Sequence, residues 1–384
     1  MKPLRLLMLT EPGVDGVFAI VDSIVRQIFR DHPQISVDLA FSSRRTGPAL
    51  GELIREIERR DGRTIDLNVS NAPSPSDFRA LWQLVRFTRL RGHQLVHAHS
   101  SKAGALARIA RLMAPFPPVL YTPHAYYGLP KLGSRKEALF NLIERILGQI
   151  GTSICCSEDE RDFAADVLKI PPDHLRVIHN GIDTARFAPA DAATKARARA
   201  ALDLPAHGKI LVTIGRVSLQ KNYSPLYAAL GEMLPSADWM FSHAGAGSIA
   251  LRADLSEQAA CRCHNFEHLN DVAPLLQAAD GFVMTSRYEG LSLAMLSAMS
   301  TGLPCFLPDA PGFHFLKQFA FDHIRWLPKP DDANSLKEPL TKALAIWAAQ
   351  PSKTLTDQRE LVCQMFSESI QIGKLIALYQ ADIS

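Results

Sequence analysis

The feature that most constrains this chain is a rhythm in which short apolar runs alternate with helical patterns, lapse once, and then start again. Leu4–Leu9 reads as a first buried strand, Phe18–Phe29 as a helix and Ile35–Phe41 as the next strand. A helical stretch follows around Leu50–Arg60, then an amphipathic helix at Phe78–Arg91, a strand at Leu95–Ala98 and a helix at Gly104–Met113. Val119–Thr122, Ser153–Cys156 and Arg176–Ile178 continue as strands, separated by helices near Glu137–Leu147 and Asp159–Leu168. Repeated β-α-β units with short connections predict a parallel sheet with helices on both faces.

Between His179 and His207 the rhythm lapses. This stretch holds Asn180-Gly181, Pro189, Pro205 and an Ala/Arg-rich helix, and it reads as an interdomain connection. From Lys209 the alternation resumes, with strands expected at Ile210–Ile214, Trp239–His243, Arg262–Cys263, Gly281–Thr285, Pro304–Leu307 and Ile324–Leu327. Leu355–Tyr379 reads as one long helical stretch beyond the last strand. The expected class is α/β, and two doubly wound halves offer a ligand crevice at the carboxyl ends of their strands.

Bulk properties narrow the function. In 384 residues, 47% are hydrophobic and 21% charged, which suits packed cores and not disorder. Lys plus Arg is 42 against 39 Asp plus Glu, a net +3 too mild for a nucleic-acid partner. The apolar start Leu4-Arg5-Leu6-Leu7-Met8-Leu9 breaks at Thr10, Glu11 and Pro12, too soon for a signal peptide. No run reaches the roughly 18 apolar residues of a membrane span, so a cytoplasmic protein is expected. The six cysteines do not form a disulfide framework. Cys261, Cys263, His264 and His268 can be drawn as a metal site, but two cysteines on one face of a short strand suit core packing better.

Three segments carry candidate chemistry. Thr10-Glu11-Pro12-Gly13-Val14-Asp15-Gly16-Val17 is a Gly-containing turn from strand to helix, where backbone amides can approach an anion. It lacks the spacing of a dinucleotide fingerprint. Gly215-Arg216-Val217-Ser218-Leu219-Gln220-Lys221-Asn222 follows a strand end, and its Arg and Lys suit a diphosphate. The same two cations also fit an ordinary solvated loop. Thr285 to Pro304 reads strand, turn, helix, Gly stop and next strand, with Glu289 placed where the helix begins. Amides from Gly290 to Ser292 suit a phosphate there and the carboxylate suits sugar hydroxyls, although Glu289 can equally complement the helix dipole.

The third segment resembles the E-G-x-x-x-x-x-x-E-A-M-x-x-G-x-P signature of the retaining GT-B glycosyltransferases of family four. Gly16 resembles that family's first glycine loop, Val177 to Asp183 its P-N-G-V-D element, and Gly215-Arg216 with Lys221 its G-R-x-x-x-x-K-G motif. Val96-His97-Ala98-His99-Ser100 and Tyr121-Thr122-Pro123-His124-Ala125 resemble the V-H-x-H and T-x-H-G elements of its acceptor domain. The match runs from about Leu6 to Tyr379.

The resemblance implies a GT-B architecture of two Rossmann-like domains facing across a cleft. Residues 1–184 would be the acceptor domain, 185–365 the donor domain, and 366–384 a helix returning to the first. It implies transfer of a hexose-type sugar from a nucleotide-sugar donor to a glycan or lipid-linked acceptor, with no cofactor. Gly16, Arg216, Lys221, Phe266, Glu267, Gly290, Leu291, Ser292 and Ser297 would hold the donor. His124 and Glu289 would act at the transferred sugar, and His99 and Asn180 on the acceptor side. A nucleotide-sugar epimerase of the same fold and a non-catalytic binding relative are the alternatives.

This chain departs from the pattern at three places. The family's second Glu falls on Ser297, Lys221 is followed by Asn222 and not Gly, and His124 by Ala125. The chain has no D-x-D triplet, and the neighbouring Asp331 and Asp332 sit in a polar turn, so a metal-free reaction is expected. Arg79, Arg86, Arg89 and Arg91 share a helix with Leu81, Trp82, Leu84, Val85 and Phe87. That pattern suits peripheral contact with an anionic membrane, yet an ordinary surface helix with its apolar side in the core is the simpler reading.

Overall fold

The computed structural model describes residues 4–130, 133–319, 321, 324–328, 333–350 and 355–382. They form two compact units, one of Met1–Gly181 with Glu368–Ser384 and one of Ile182–Ser367.

The first unit holds β1 (Leu4–Thr10), α1 (Asp15–Asp31), β2 (Ile35–Phe41), α2 (Pro48–Arg59), β3 (Thr64–Asp66), α3 (Ser76–Arg91) and β4 (Leu95–His99). It continues with α4 (Ser101–Met113), β5 (Val119–Thr122), α5 (Arg135–Leu147), β6 (Thr152–Cys155), α6 (Glu158–Asp166) and β7 (Leu175–Val177). The strands pair in parallel in the order β3-β2-β1-β4-β5-β6-β7. In β1 every residue but Arg5 is buried, as a central strand covered on both faces demands. Helix α1 lays Phe18, Val21, Ile24, Val25 and Ile28 onto the sheet at the helical repeat. Serine caps start α5 and α6, with Ser134 and Ser157 accepting from the amides of Glu137 and Glu160.

The second unit holds α7 (Ala192–Ala201), β8 (Ile210–Ile214), α8 (Ser224–Met233), β9 (Met240–Ala244), α9 (Ser248–Ala253), α10 (Glu257–Ala260) and α11 (Ala273–Ala278). Then come β10 (Gly281–Val283), α12 (Leu293–Ser300), β11 (Cys305–Pro308), β12 (Ile324–Leu327), α13 (Ala333–Ala349) and α14 (Thr356–Met365). Its parallel sheet runs β12-β11-β10-β8-β9. The core between sheet and helices is built on Tyr227, Trp239, Phe241, Phe306 and Trp347. The last helix, α15 (Glu368–Asp382), belongs to the first unit, where Ser23 donates to Glu368 at 2.5 Å.

Two expectations need correction, and one strand has no counterpart in the apolar pattern. Arg262–Cys263 is not a strand: only Cys263 makes an isolated bridge, to Phe241, so Cys263 is buried while Cys261 is exposed. The stretch Leu355–Tyr379 is two helices, because the chain breaks at Phe366 and Ser367. There Phe366 turns into the core and Ser367 bridges to Ile182. The short strand β3 was not foreseen; its three residues are only partly covered and carry no clear apolar pattern. Asp331 and Asp332 lie outside the described residues.

In each sheet the order turns back on itself once, at β1/β4 and at β8/β10, and ligands of doubly wound folds lie outside the carboxyl ends of strands at such points. In the first unit those ends carry Thr10 to Asp15 and His99–Ser100, and in the second Gly215 to Lys221 and Thr285 to Glu289.

Candidate active site

In the second unit the two motif segments are knitted together. Lys221 Nζ lies 2.7 Å from Glu289 Oε1, and Gln220 Nε2 donates to Glu289 Oε2 at 3.3 Å and to the Tyr288 carbonyl at 3.1 Å. The Arg287 amide donates to the Gln220 carbonyl at 2.8 Å, and the Glu289 amide to the Pro311 carbonyl at 2.9 Å. Gly312 makes the last approach possible, since its φ is +88° and a Cβ there would sit 2.2 Å from the Glu289 carbonyl oxygen. Arg216 is exposed at the start of the loop. Asn222 Nδ2, Ser286 Oγ and Arg287 Nε are buried beside these residues with no protein group as hydrogen-bond partner.

The helix behind Glu289 starts later than expected. Ser292 is the N-cap of α12, accepting from the Met295 amide, so Glu289 stands in the preceding loop with Gly290 and Leu291. The amides of Gly290, Leu291 and Ser292 therefore precede the first helical turn, at its positive end. Ser297 is buried on α12, its carbonyl accepting from Thr301. Phe266 and Glu267 are used internally. The Phe266 amide donates to His243, its carbonyl accepts from Gly245, and the Glu267 carboxylate takes the Gly247 amide at 2.6 Å. The loop Gly245-Ala246-Gly247 was missed in the sequence. Its signal is the glycine pair after β9, where a Cβ on Gly245 would meet the Gly215 carbonyl at 2.1 Å.

In the first unit the carboxyl ends of β4 and β5 bring three histidines together. His97 Nδ1 lies 2.7 Å from the Tyr379 hydroxyl and its Nε2 lies 2.9 Å from Thr122 Oγ1. His99 Nδ1 lies 3.0 Å from His124 Nε2. Burial pushes His97 and His124 down to about 3 and His99 well below its ordinary value, so all three are neutral at physiological pH. Both ring nitrogens of His124 face protein groups, the second being 3.7 Å from Cys156 Sγ. Cys156 Sγ in turn lies 3.6 Å from Asn180 Oδ1. Glu160, raised to about 7 by burial, accepts from the Ala125 amide at 2.7 Å and the Cys156 amide at 2.6 Å. Backbone strain gathers at these strand ends: φ is +68° at Asp15, +85° at Ser100, +58° at His124 and +106° at Ala125.

Gly16 is not in the turn but in the first turn of α1, where a Cβ would meet no atom within 4 Å. The close approach falls at Gly13, whose amide donates to the Arg45 carbonyl. Among the described residues, no group of three or more His, Cys, Asp or Glu could hold a metal ion, and no helix is long and apolar enough to cross a membrane.

Two parallel-sheet α/β units of this kind make up the GT-B fold. The solved structure of HepE from Anabaena in complex with UDP shares it at a TM-score of 0.75, with 18% identity, covering 98% of this chain and 100% of that one. Sucrose-phosphate synthase from Thermosynechococcus elongatus matches at a TM-score of 0.75 with 20% identity, covering 98% of each chain. The family models "Glycosyltransferase Family 4" and "Glycosyl transferases group 1" match residues 30–186 and 208–345.

The Escherichia coli UDP-Gal:alpha-D-GlcNAc-diphosphoundecaprenol alpha-1,3-galactosyltransferase is 28% identical over 314 residues, covering 79% of each chain. The GDP-mannose:cellobiosyl-diphosphopolyprenol alpha-mannosyltransferase of Xanthomonas oryzae pv. oryzae is 29% identical over 206 residues, covering 51% of this chain and 50% of its own. The chain belongs to the GT-B glycosyltransferases of family four, enzymes that use nucleotide sugars.

Proposed function

We propose that this enzyme moves a hexose-type sugar from its nucleotide donor to a lipid-linked glycan, with retained anomeric configuration and without a metal ion. The observation that carries the reading is the Lys221–Glu289 pair, a cation fit for a leaving diphosphate beside a carboxylate fit for sugar hydroxyls. In the reaction the bond from the anomeric carbon to the diphosphate oxygen breaks and the acceptor oxygen bonds to that carbon. The acceptor's proton passes to the departing phosphate oxygen. Arg216, Lys221 and the amides of Gly290, Leu291 and Ser292 meet the charge that develops on the diphosphate. Glu289 binds the sugar, the ribose lies along Ser297, and the segment at Phe266 and Glu267 borders the base. The acceptor is held by the first unit, near His99 and Asn180.

Both relatives' names include a diphospho-polyprenol acceptor, which supports the same class here. The outer face of α3 supports peripheral contact with the inner face of the membrane. Ala80, Leu84 and Thr88 enter the core, but Phe78, Trp82 and Leu90 are 77%, 61% and 73% exposed. Residues 78, 82, 86 and 90 fall on one helical face, with the Arg86 guanidinium 5.3 Å from the Trp82 ring. An aromatic and aliphatic stripe carrying cations suits an anionic lipid surface.

The test is transfer from UDP- and GDP-hexoses to a glycosyl diphosphate on a short soluble lipid, with the product anomer read by NMR. The expected product keeps the donor's anomeric configuration and forms equally well in EDTA. An inverted product overturns retention, activity lost in EDTA and restored by manganese overturns metal independence, and turnover of no nucleotide sugar overturns the reading as a whole.

A further inference from the structure

His99, His124, Cys156 and Asn180 make one unbroken line of contacts at the carboxyl end of the first sheet. The direction of its hydrogen bonds is set at the far end. An amide oxygen only accepts, so the Cys156 thiol proton goes to Asn180 Oδ1, at 3.6 Å. The Glu160 carboxyl group is a second acceptor for that proton, and either choice leaves a sulfur lone pair for His124 Nδ1. The sulfur then meets His124 Nδ1, 3.7 Å away, with a lone pair, and that nitrogen must carry a hydrogen. A neutral imidazole has one N–H, so His124 Nε2 is bare and accepts from His99 Nδ1–H at 3.0 Å. By the same rule His99 Nε2 is bare.

The far nitrogen has no protein partner. His99 Nε2 is buried without a hydrogen bond, and His99, His124 and Asn180 line a cavity of about 10 Å³, walled on its apolar side by Ile20, Ile24 and Leu375. That is room for about one oxygen atom. Neutrality, on which the tautomer argument depends, follows from the burial that lowers both histidines.

We infer that these four side chains form a directional relay that fixes His99 and His124 as Nδ1–H tautomers and turns His99 Nε2 into the acceptor for a single O–H donor in the cavity. Cys156 is the positioning residue, since its sulfur faces His124 Nδ1 and so holds the proton on that nitrogen. In the free enzyme the donor is a water molecule. On the proposed reading that the first unit binds the acceptor, a hydroxyl of that acceptor replaces it, with the sugar ring outside.

The relay is tested on the full chain labelled with ¹⁵N-histidine, using long-range proton–nitrogen correlation at pH 7.5, where each ring shows which nitrogen is bare. His99 and His124 are expected with protonated Nδ1 and bare Nε2. Cys156→Ala is expected to scramble the His124 tautomer and Cys156→Ser to restore it, with melting curves confirming that both variants fold. In transfer assays Cys156→Ala is expected to raise KM for the short-chain acceptor about tenfold with the donor KM unmoved, an effect recovered in Cys156→Ser. A wild-type His99 protonated at Nε2, or a His124 tautomer indifferent to Cys156→Ala, overturns the relay whether or not the protein transfers sugar. Tautomers as expected with an unchanged acceptor KM overturn entry of the hydroxyl and leave water as the occupant.

Discussion

The Lys221 ammonium lies 2.7 Å from the Glu289 carboxylate across 68 residues of chain, so in the free protein each neutralises the other. A diphosphate arriving at Lys221 must share it with Glu289. Removing the carboxylate charge should therefore release the lysine. Glu289→Gln is expected to tighten binding of bare UDP or GDP severalfold while turnover falls steeply, because the sugar loses its partner. Lys221→Ala is expected to weaken the same nucleotide about tenfold or more, the usual worth of a charge-assisted hydrogen bond. Calorimetry on the two variants decides: if Glu289→Gln weakens the nucleotide as much as Lys221→Ala does, the pair is structural and not a ligand site.

Two departures from the family pattern have unequal backbone costs. Asn222 stands at φ +52° and Ala125 at φ +106°, both where the family has glycine. Asparagine tolerates the left-handed region, whereas alanine at +106° is strained by its Cβ. Ala125→Gly is expected to raise stability by about 1 kcal/mol, and Asn222→Gly to change it by a few tenths at most. Thermal melts of both variants measure this. A drop in stability for Ala125→Gly would mean that the His124–Ala125 turn is not under strain.

Much of this was legible in the sequence because the apolar runs are nearly unbroken. Strands at Ile35–Phe41, Val119–Thr122, Ile210–Ile214 and Ile324–Leu327 coincide with their apolar segments residue for residue. What escaped was set by tertiary contacts. Arg262–Cys263 has strand-like residues, but their pairing with β9 stops at one isolated bridge, in which the Arg262 carbonyl accepts from the Phe241 amide at 3.0 Å. The strand–turn–helix pattern of Thr285 to Pro304 puts Glu289 at the helix start, yet the side-chain cap that begins α12 is Ser292. The motifs located Lys221, Glu289, His99 and His124. Gln220 beside Glu289, Cys156 beside His124 and the Tyr379 hydroxyl on the neighbouring His97 carry no local signal, since what brings them in is the sheet order and the return of α15.

Buried histidines predict how stability varies with pH. Folded His97 and His124 titrate near 3 and His99 also far below 6.5, so as pH falls from 6.5 the unfolded chain takes up protons that the folded one refuses, and stability is lost. Glu160 acts in the opposite sense: raised to about 7 from 4.5, it stabilises the folded state below 4.5, and that contribution disappears as pH rises through 7. Three groups against one leave a net loss between pH 6.5 and 4.5, on the order of 1–3 kcal/mol per pH unit. Calorimetric melting temperatures are expected to fall clearly from pH 7 to pH 5. A flat profile would show that the histidine cluster takes up protons without unfolding.

Ser297 stands where the signature this segment resembles carries a second glutamate. Glu289 is not on the same helix, so helical spacing does not align the two; their common neighbourhood rests on the loop from Glu289 to the cap at Ser292. Ser297 is 4% exposed, and a carboxylate put there must find hydrogen-bond donors or lose much of its hydration. The two hydroxyls of a ribose are such donors. If the nucleotide's ribose lies along this helix, Ser297→Glu should melt earlier than wild type when empty, and bind UDP or GDP more tightly by about 1–2 kcal/mol, the worth of a charged acceptor. Nucleotide should then raise its melting temperature by more than it raises that of the wild type. Should the ribose lie elsewhere, the new carboxylate has only the cost of burial and repels the diphosphate. Calorimetry with both nucleotides on folded Ser297→Glu separates the cases, and unchanged or weaker binding would remove the ribose from this face of the helix.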